Sequence, residues 1–245
     1  MVIHVYGLLI GIGIYLGIIL AEQAKLRLSS TNPEYTQVNP DHLLWWMFLP
    51  ALIGARLYHV IDLWSYYQFD PVKILFIWQG GLAIYGALLG GLLGLLLYLL
   101  KSKQLDKTLY FTDILVLVIL VGQIVGRIGN YFNHELFGLP TKLPWGIYIP
   151  GQFRPATFIQ YSYFHPLFLY ESLLNLLVLV AVWKMIKSVK TVGIITGVYC
   201  LSYGFIRFSL DFLRIDPWRL GFFTTAQWLS LVVIILGLGL LLRKQ

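Results

Sequence analysis

Seven apolar runs, at residues 5–21, 42–63, 77–100, 112–125, 166–186, 192–213 and 224–242, leave this chain little choice of fold. Crossing the hydrocarbon core of a bilayer takes about 20 apolar residues in an α-helix. Backbone in lipid must satisfy its own hydrogen bonds, and helices do so within one segment. Charged residues make up only 12% of the 245, against about 25% in a soluble domain. The reading is an all-α, polytopic membrane protein with seven transmembrane helices and one domain, 1–245. The second run is the least apolar, holding Arg56, His59 and Asp62, and the short fourth run extends back toward Leu109.

Orientation follows from the positive charges. One set of helix ends carries ten: Lys25, Arg27, Lys101, Lys103, Lys107, Lys184, Lys187, Lys190, Arg243 and Lys244. The opposite set carries five: Lys73, Lys142, Arg154, Arg214 and Arg219. The richer side is expected to be cytoplasmic, so the N-terminus is outside and the C-terminus inside. No basic region and no Ala-x-Ala-like site accompanies the first run, so it reads as a retained span. The net charge of +7 is spread over short loops. With no Lys/Arg cluster, nucleic acid is not an expected partner; anionic membrane lipid is. The longest connection, about 129–165, holds Pro140, Pro144, Pro150 and Pro155 with several aromatics, and reads as a small extracytoplasmic cap between helices four and five. Trp45, Trp46, Trp64, Trp78, Trp145, Trp218 and Trp228 fall near the expected interfaces, as an aromatic belt does.

Polar residues inside the apolar runs gather toward one leaflet. Under this topology Tyr6, Arg56, Tyr85, Arg127, Asn130, His165, Tyr170, Glu171, Arg207, Asp211 and Gln227 all lie toward the outer ends of their helices. The densest stretch is 126–138, which packs Arg127, Asn130, Asn133, His134 and Glu135 between Gly126, Gly129 and Gly138. Such a cluster at a span's end is costly unless it pairs internally or meets a ligand. Arginine keeps its charge on burial and grips phosphate or carboxylate with two parallel hydrogen bonds. Two readings of Arg127 and Arg207 stand side by side: a grip on an anionic lipid phosphate, or pairing with Glu135, Glu171 and Asp211. Arg56 has Asp62 and the interface as alternatives to a ligand.

Other chemistries find little support. His134 and His165 do not follow the His-Glu-x-x-His spacing of a zinc helix, so no metal is expected. No Gly-x-Ser-x-Gly elbow is present, and Ser209 and Asp211 face apart on a helix. A lone cysteine, Cys200, excludes an internal disulfide. A reaction here would take its nucleophile from the substrate, and no cofactor is implied. The glycine pairs Gly7/Gly11, Gly13/Gly17, Gly86/Gly90/Gly94, Gly122/Gly126 and Gly193/Gly197 read as helix-packing positions.

The stretch 126–138 resembles the signature of the prolipoprotein diacylglyceryl transferases, Gly-Arg-x-Gly-Asn-Phe/Tyr-x-Asn-x-Glu-x-x-Gly. The likeness extends to His4-Val5-Tyr6-Gly7, Gly54-Ala55-Arg56 and Gly80-Gly81-Leu82-Ala83-Ile84-Tyr85-Gly86. It continues through His165-Pro166, Tyr170-Glu171, Tyr203-Gly204-Phe205-Ile206-Arg207 with Phe212 and Arg214, and Gln227. The resemblance implies a seven-span enzyme of the bacterial cytoplasmic (inner) membrane. Such an enzyme moves the diacylglyceryl group of phosphatidylglycerol to the lipobox cysteine of a prolipoprotein signal peptide, releasing glycerol-1-phosphate. It implies that Arg127, Arg207, Tyr85, Tyr6, Asn130 and Glu135 carry the reaction. Phosphatidylglycerol would be held by Arg127, Arg207, Asn130, Gly138, Arg56, His165, Glu171 and Asp211. The expected form is a monomer.

Two positions depart from the pattern. Well-known members have a histidine where this chain has Tyr85, and a glutamate where it has Asp211. A phenol of pKa about 10 is a poor base at neutral pH. The cap is also short. A transporter or flippase for anionic lipids or solutes would use the same arginines and glycines. It is expected to keep its site near the midplane, often between repeats, and no repeat is visible.

Overall fold

The computed structural model describes residues 5–243, with backbone alone for Val5, Tyr6 and Gln79. Seven long helices follow in order: α1 Val5–Ser29, α2 Pro40–Asp62, α3 Ile84–Lys101, α4 Thr108–Phe132, α5 Leu167–Met185, α6 Ile194–Asp211 and α7 Thr225–Leu242. Among the described residues, six helices are long and apolar enough to cross a membrane: α1, α2, α3, α4, α5 and α7. The remaining helix, α6, has 18 residues, about 27 Å at 1.5 Å per residue. It falls short in apolarity because Tyr199, Tyr203, Arg207 and Asp211 recur along one face. Large apolar side chains point outward, among them Leu89, Leu92, Ile235 and Leu236. A water-soluble protein would cover such faces.

Chain contacts divide into two compact units. The first is Gln37–Thr108, which contains α2 and α3. Asn39 caps α2, its side chain accepting the His42 backbone N–H at 3.2 Å, with Pro40 at the first helical position, where a missing N–H costs nothing. Helices α2 and α3 run antiparallel and touch backbone to backbone. A Cβ on Gly86, Gly90 or Gly94 would overlap the carbonyl oxygen of Gly54, Pro50 or Trp46 respectively. This close approach is what small residues at every fourth position permit. Replacing Gly86 by leucine is therefore expected to force the two helices apart. A loss of at least about 3 kcal/mol is expected, the upper end for overpacking, because backbone rather than a side chain must move. Thermal unfolding in detergent checks it; an unchanged melting temperature would sink the prediction.

The third helix begins at Ile84, seven residues later than the apolar run at 77. Gly80 and Gly81 take left-handed φ values of +90° and +75°, which interrupt a right-handed helix and which glycine adopts without strain. Their carbonyls turn toward Arg56 instead. The intervening chain makes a short helical turn, Trp64–Tyr67, and two 3-10 turns, Pro71–Leu75 and Ile77–Gln79.

The second unit combines the described residues up to Thr36 with those from Leu109 on. Helix α4 extends well past residue 125, so Arg127 and Asn130 sit on its last two turns. A glycine-bearing polar stretch after an apolar run reads as a helix end, yet nothing in 126–132 breaks the helix. Residues 133–166 form the insertion before α5, organised by a small antiparallel ladder of β1 (Ile147–Tyr148) and β2 (Tyr163–Phe164). A second hairpin, β3 (Arg219–Leu220) and β4 (Phe223–Thr224), joins α6 to α7. Thr224 and Gln227 form a reciprocal capping box that starts α7.

A buried carboxylate knits the other end of this unit. Asp113 of α4 accepts hydrogen bonds from the Tyr35 hydroxyl at 2.7 Å and the Gly193 N–H at 2.7 Å. It also accepts from the Thr196 N–H at 2.8 Å and the Thr196 hydroxyl at 2.7 Å. It thereby satisfies first-turn donors of α6 that the left-handed Gly193 leaves open.

Candidate active site

Helical spacing assembles the site from three helices of the second unit. Gln123, Arg127 and Asn130 lie three or four apart on α4, so they share a face. Glu171 and Asn175, four apart, do the same on α5, with Ser172 next to Glu171. Tyr199, Tyr203, Arg207 and Asp211 recur every four residues on α6. The Ser172 hydroxyl donates to the Ile124 carbonyl at 3.1 Å, fixing the register of α5 against α4.

Glu171 is the hub. It is 2% exposed, accepts Arg127 Nη2 at 2.7 Å and lies 3.7 Å from Arg207 Nη1. Arg207 Nη2 also lies 3.6 Å from Asp211 Oδ1, and Arg214 Nη1 lies 3.8 Å from the same oxygen. Asp211 Oδ2 accepts the Thr224 hydroxyl, which itself accepts the Gln227 N–H, so α6 is tied to the cap of α7. The Tyr203 hydroxyl interacts with Arg127 in the same cluster.

Three guanidinium groups thus face two carboxylates, and one positive charge is left over. The Arg207 contacts, at 3.6 and 3.7 Å, are ion pairs longer than hydrogen bonds. Its N–H donors are therefore not consumed by close partners. Arg127 Nε is buried and has no hydrogen-bond partner among the described residues. The cluster holds both arginines against Glu171 with donors of each unspent among the described residues.

After α4 the chain folds back on itself. Asn130 Nδ2 donates to Glu135 Oε2 at 3.2 Å, and the Glu135 N–H donates to the Asn130 carbonyl at 2.9 Å. His134 and Leu136 adopt φ values of +54° and +56°, costly for residues with a Cβ. A small recess forms here, lined by Asn130, His134, Glu135, Tyr148 and Phe168 among others. Gly138 is accounted for by backbone approach: a Cβ there would lie 2.6 Å from the Leu213 carbonyl oxygen. Its N–H donates to the His165 carbonyl at 2.8 Å, while Leu139 N–H donates to the Leu213 carbonyl. His165 Nδ1 lies 3.2 Å from the Tyr170 hydroxyl, which accepts Trp145 Nε1–H at 2.7 Å.

Two of the sequence-derived candidates belong to the first unit. Arg56 is 7% exposed, and its guanidinium donates to the carbonyls of Ile74, Gly80, Gly81 and Lys73. Four of its five N–H groups are consumed by backbone, so its evident work is to hold the 63–83 connection. Tyr85 is half exposed, its ring 6.0 Å from that of Tyr58. The Tyr6 side chain lies outside the described residues. Sequence reasoning passed over Gln123, Asn175 and Tyr199. An asparagine inside the run Leu173-Leu174-Asn175-Leu176-Leu177 was the available signal.

Comparison with known proteins decides the family. The family model "Prolipoprotein diacylglyceryl transferase" matches residues 1–243. The chain belongs to the prolipoprotein diacylglyceryl transferase family. A Synechococcus elongatus relative, named phosphatidylglycerol–prolipoprotein diacylglyceryl transferase, is 39% identical over 245 residues, covering 96% of this chain and 81% of its own. Proteins of the same name from Prochlorococcus marinus and Fervidobacterium nodosum are 40% and 37% identical. These matches cover 88% and 95% of this chain, and 77% and 78% of theirs.

Proposed function

We propose that this chain transfers the diacylglyceryl group of phosphatidylglycerol to the lipobox cysteine of a prolipoprotein, the reaction its relatives are named for. The observation that carries the reading is the Arg127–Glu171–Arg207 cluster, with its excess positive charge at the end of apolar helices. The thiolate sulfur of the protein substrate attacks the glyceryl carbon that bears the phosphate ester. A carbon–sulfur bond forms, the carbon–oxygen bond breaks, and glycerol-1-phosphate leaves with the electron pair. The thiol proton goes to a phosphate oxygen or to water, so no dedicated base is needed, and the substrate sulfur is itself the nucleophile.

Arg127 and Arg207 grip the phosphate and stabilise its growing charge. Glu171 and Asp211 hold those arginines in place, and Arg214 adds to the positive side. Asn130 and Glu135 shape the recess beside them, and Tyr6 is assigned to the same working site. Gly138 and His165 position the insertion, and Arg56 positions the 63–83 connection. All seven helices cross the membrane as one catalytic domain, α6 shielding its polar face against α4 and α5. The insertion is extracytoplasmic, the C-terminus faces the cytoplasm, and the protein works as a monomer in the bacterial inner membrane.

Reconstituted protein supplied with phosphatidylglycerol and a lipobox peptide is expected to give a diacylglyceryl adduct on the peptide cysteine, read by mass spectrometry. Folded protein that forms no adduct would overturn the reading. Tyr85 replaces the family's histidine as a hydrogen-bond donor to headgroup or thiol. Tyr85→Phe, which removes only the hydroxyl, is expected to slow transfer by about tenfold, the worth of one hydrogen bond of about 1.4 kcal/mol. Unchanged turnover would make Tyr85 a packing partner of Tyr58.

A further inference from the structure

One helical turn deeper than the Arg127–Glu171 pair lies a second polar group that the phosphate grip does not use. Gln123 precedes Arg127 by four residues on α4, and Asn175 follows Glu171 by four on the antiparallel α5. Tyr199 reaches the same level from α6, its hydroxyl accepting Gln123 Nε2–H at 3.0 Å. Tyr199 in turn stacks on Tyr203, with centroids 5.6 Å apart and planes 10° from parallel. Asn175 is 0% exposed, and neither its Nδ2 nor its Oδ1 has a hydrogen-bond partner among the described residues. Gln123 Oε1 is buried and unpaired as well. Burying an amide this way is expensive, and a leucine of similar size would cost nothing. Polar atoms kept in such a place at the expense of stability point to a ligand.

Gly122 and Gly126 flank Gln123, and a Cβ on either would meet nothing within 4 Å. Gln123 and Tyr199 are themselves only partly covered. A chain lying along the glycine face can therefore present a polar group to Gln123 and Tyr199, and helical spacing puts Asn175 at their depth.

We propose that Asn175, Gln123 and Tyr199 form a neutral subsite for the ester groups that join the acyl chains to the lipid's glycerol. The assignment rests on the phosphatidylglycerol reading and deepens it. A glycerophospholipid carries its ester carbonyls about one helical pitch, ~5 Å, below its phosphate. With phosphate on Arg127 and Arg207, the carbonyls fall beside Gln123 and Asn175. Asn175 Nδ2 and the Tyr199 hydroxyl have hydrogens to donate to an ester carbonyl, which can only accept, while Gln123, an acceptor at its free Oε1, serves by holding the Tyr199 hydroxyl through Nε2–H. The subsite would fix how deeply the lipid sits, and hence where its glyceryl carbon lies under the incoming sulfur.

The test compares dioleoyl phosphatidylglycerol with its di-O-alkyl ether analogue, which keeps the headgroup and chains but lacks both carbonyls. Binding is measured on purified protein by native mass spectrometry, independently of transfer. The unaltered protein is expected to bind the ester lipid about five- to tenfold more tightly, the worth of one well-made neutral hydrogen bond. Asn175→Leu and Gln123→Leu are each expected to shrink that ratio toward one. Asn175→Leu is also expected to melt at a higher temperature in lipid-free detergent, since it removes unpaired buried polar atoms. A ratio near one in the unaltered protein, or an equal ratio in both variants, overturns the subsite. So does a lower melting temperature with the ratio intact, which would make the niche a structural water site. Absence of peptide adduct in the unaltered protein would instead count against the transfer reaction, and the binding ratio would still be readable.

Discussion

Replacing Arg127 by lysine is expected to cut diacylglyceryl transfer by about 10²–10³-fold, the usual cost of losing one well-aimed charge-stabilising donor, while leaving the protein folded. Lysine keeps the positive charge, so the buried Glu171 carboxylate retains a counter-ion and the cluster does not collapse. What lysine cannot supply is the planar fork. Arg127 spends Nη2 on Glu171 at 2.7 Å, and its Nε has no partner among the described residues. A lysine ammonium in that place has one centre to share between carboxylate and phosphate. The loss should appear in kcat as much as in kcat/KM, because the contact strengthens as charge builds on the leaving phosphate. Arg207→Lys is expected to behave alike. Arg127→Ala is a poorer probe, since it strands Glu171 without its partner, and breaking a buried pair costs about 3–5 kcal/mol. Initial rates by mass spectrometry, alongside a melting curve for each variant, separate the two effects. Near-full turnover in Arg127→Lys would remove this residue from the phosphate site.

The largest stability effect is expected far from the chemistry. Asp113→Ala should lose at least about 4 kcal/mol, because each buried donor left without an acceptor costs about 1–3 kcal/mol. Four donors converge on this carboxylate, from Tyr35, Gly193 and both the backbone and hydroxyl of Thr196. They come from the segment after α1 and from the first turn of α6, so α1, α4 and α6 lose their common anchor together. Burial first, and then the Asp113 charge, hold the Tyr35 phenol far above its usual range. It therefore donates throughout the working pH range. Tyr35→Phe removes one of the four bonds and is expected to cost about 1.5–3 kcal/mol, the figure for a hydrogen bond to a charged group. Yield of monodisperse protein and melting temperature should fall in the order unaltered, Tyr35→Phe, Asp113→Ala. A melting temperature for Asp113→Ala close to the unaltered one would refute the anchor.

Deep polar residues and surface-end polar residues carry different burdens in this molecule. Asp113 is buried and fully bonded, and its removal is expected to destabilise. Asn175 is buried and unbonded among the described residues, and its removal is expected to stabilise. The contrast is the reason for assigning Asp113 to the fold and Asn175 to a ligand, although both are single polar residues inside apolar runs.

By itself, the sequence determined the class of protein, the helical architecture and the family, since apolar runs of membrane length admit few structures and the 126–138 signature is specific. It placed Arg127, Arg207, Glu171 and Asp211 in one group, because each lies at the outer end of its apolar run and so at a similar depth. It also read Gly86, Gly90 and Gly94 as packing positions, where α2 carbonyls now lie. Tertiary structure alone decided how the charges are shared. Pattern cannot say whether an arginine faces a carboxylate, a carbonyl or a ligand, because that depends on helix rotation and on where loops return. Arg56 and Arg127 look alike in sequence; the left-handed Gly80–Gly81 turn brings carbonyls to one, and the rotation of α5 brings Glu171 to the other. The same dependence hid Asn175, whose significance lies in having no partner, a property of the packed neighbourhood rather than of the residue.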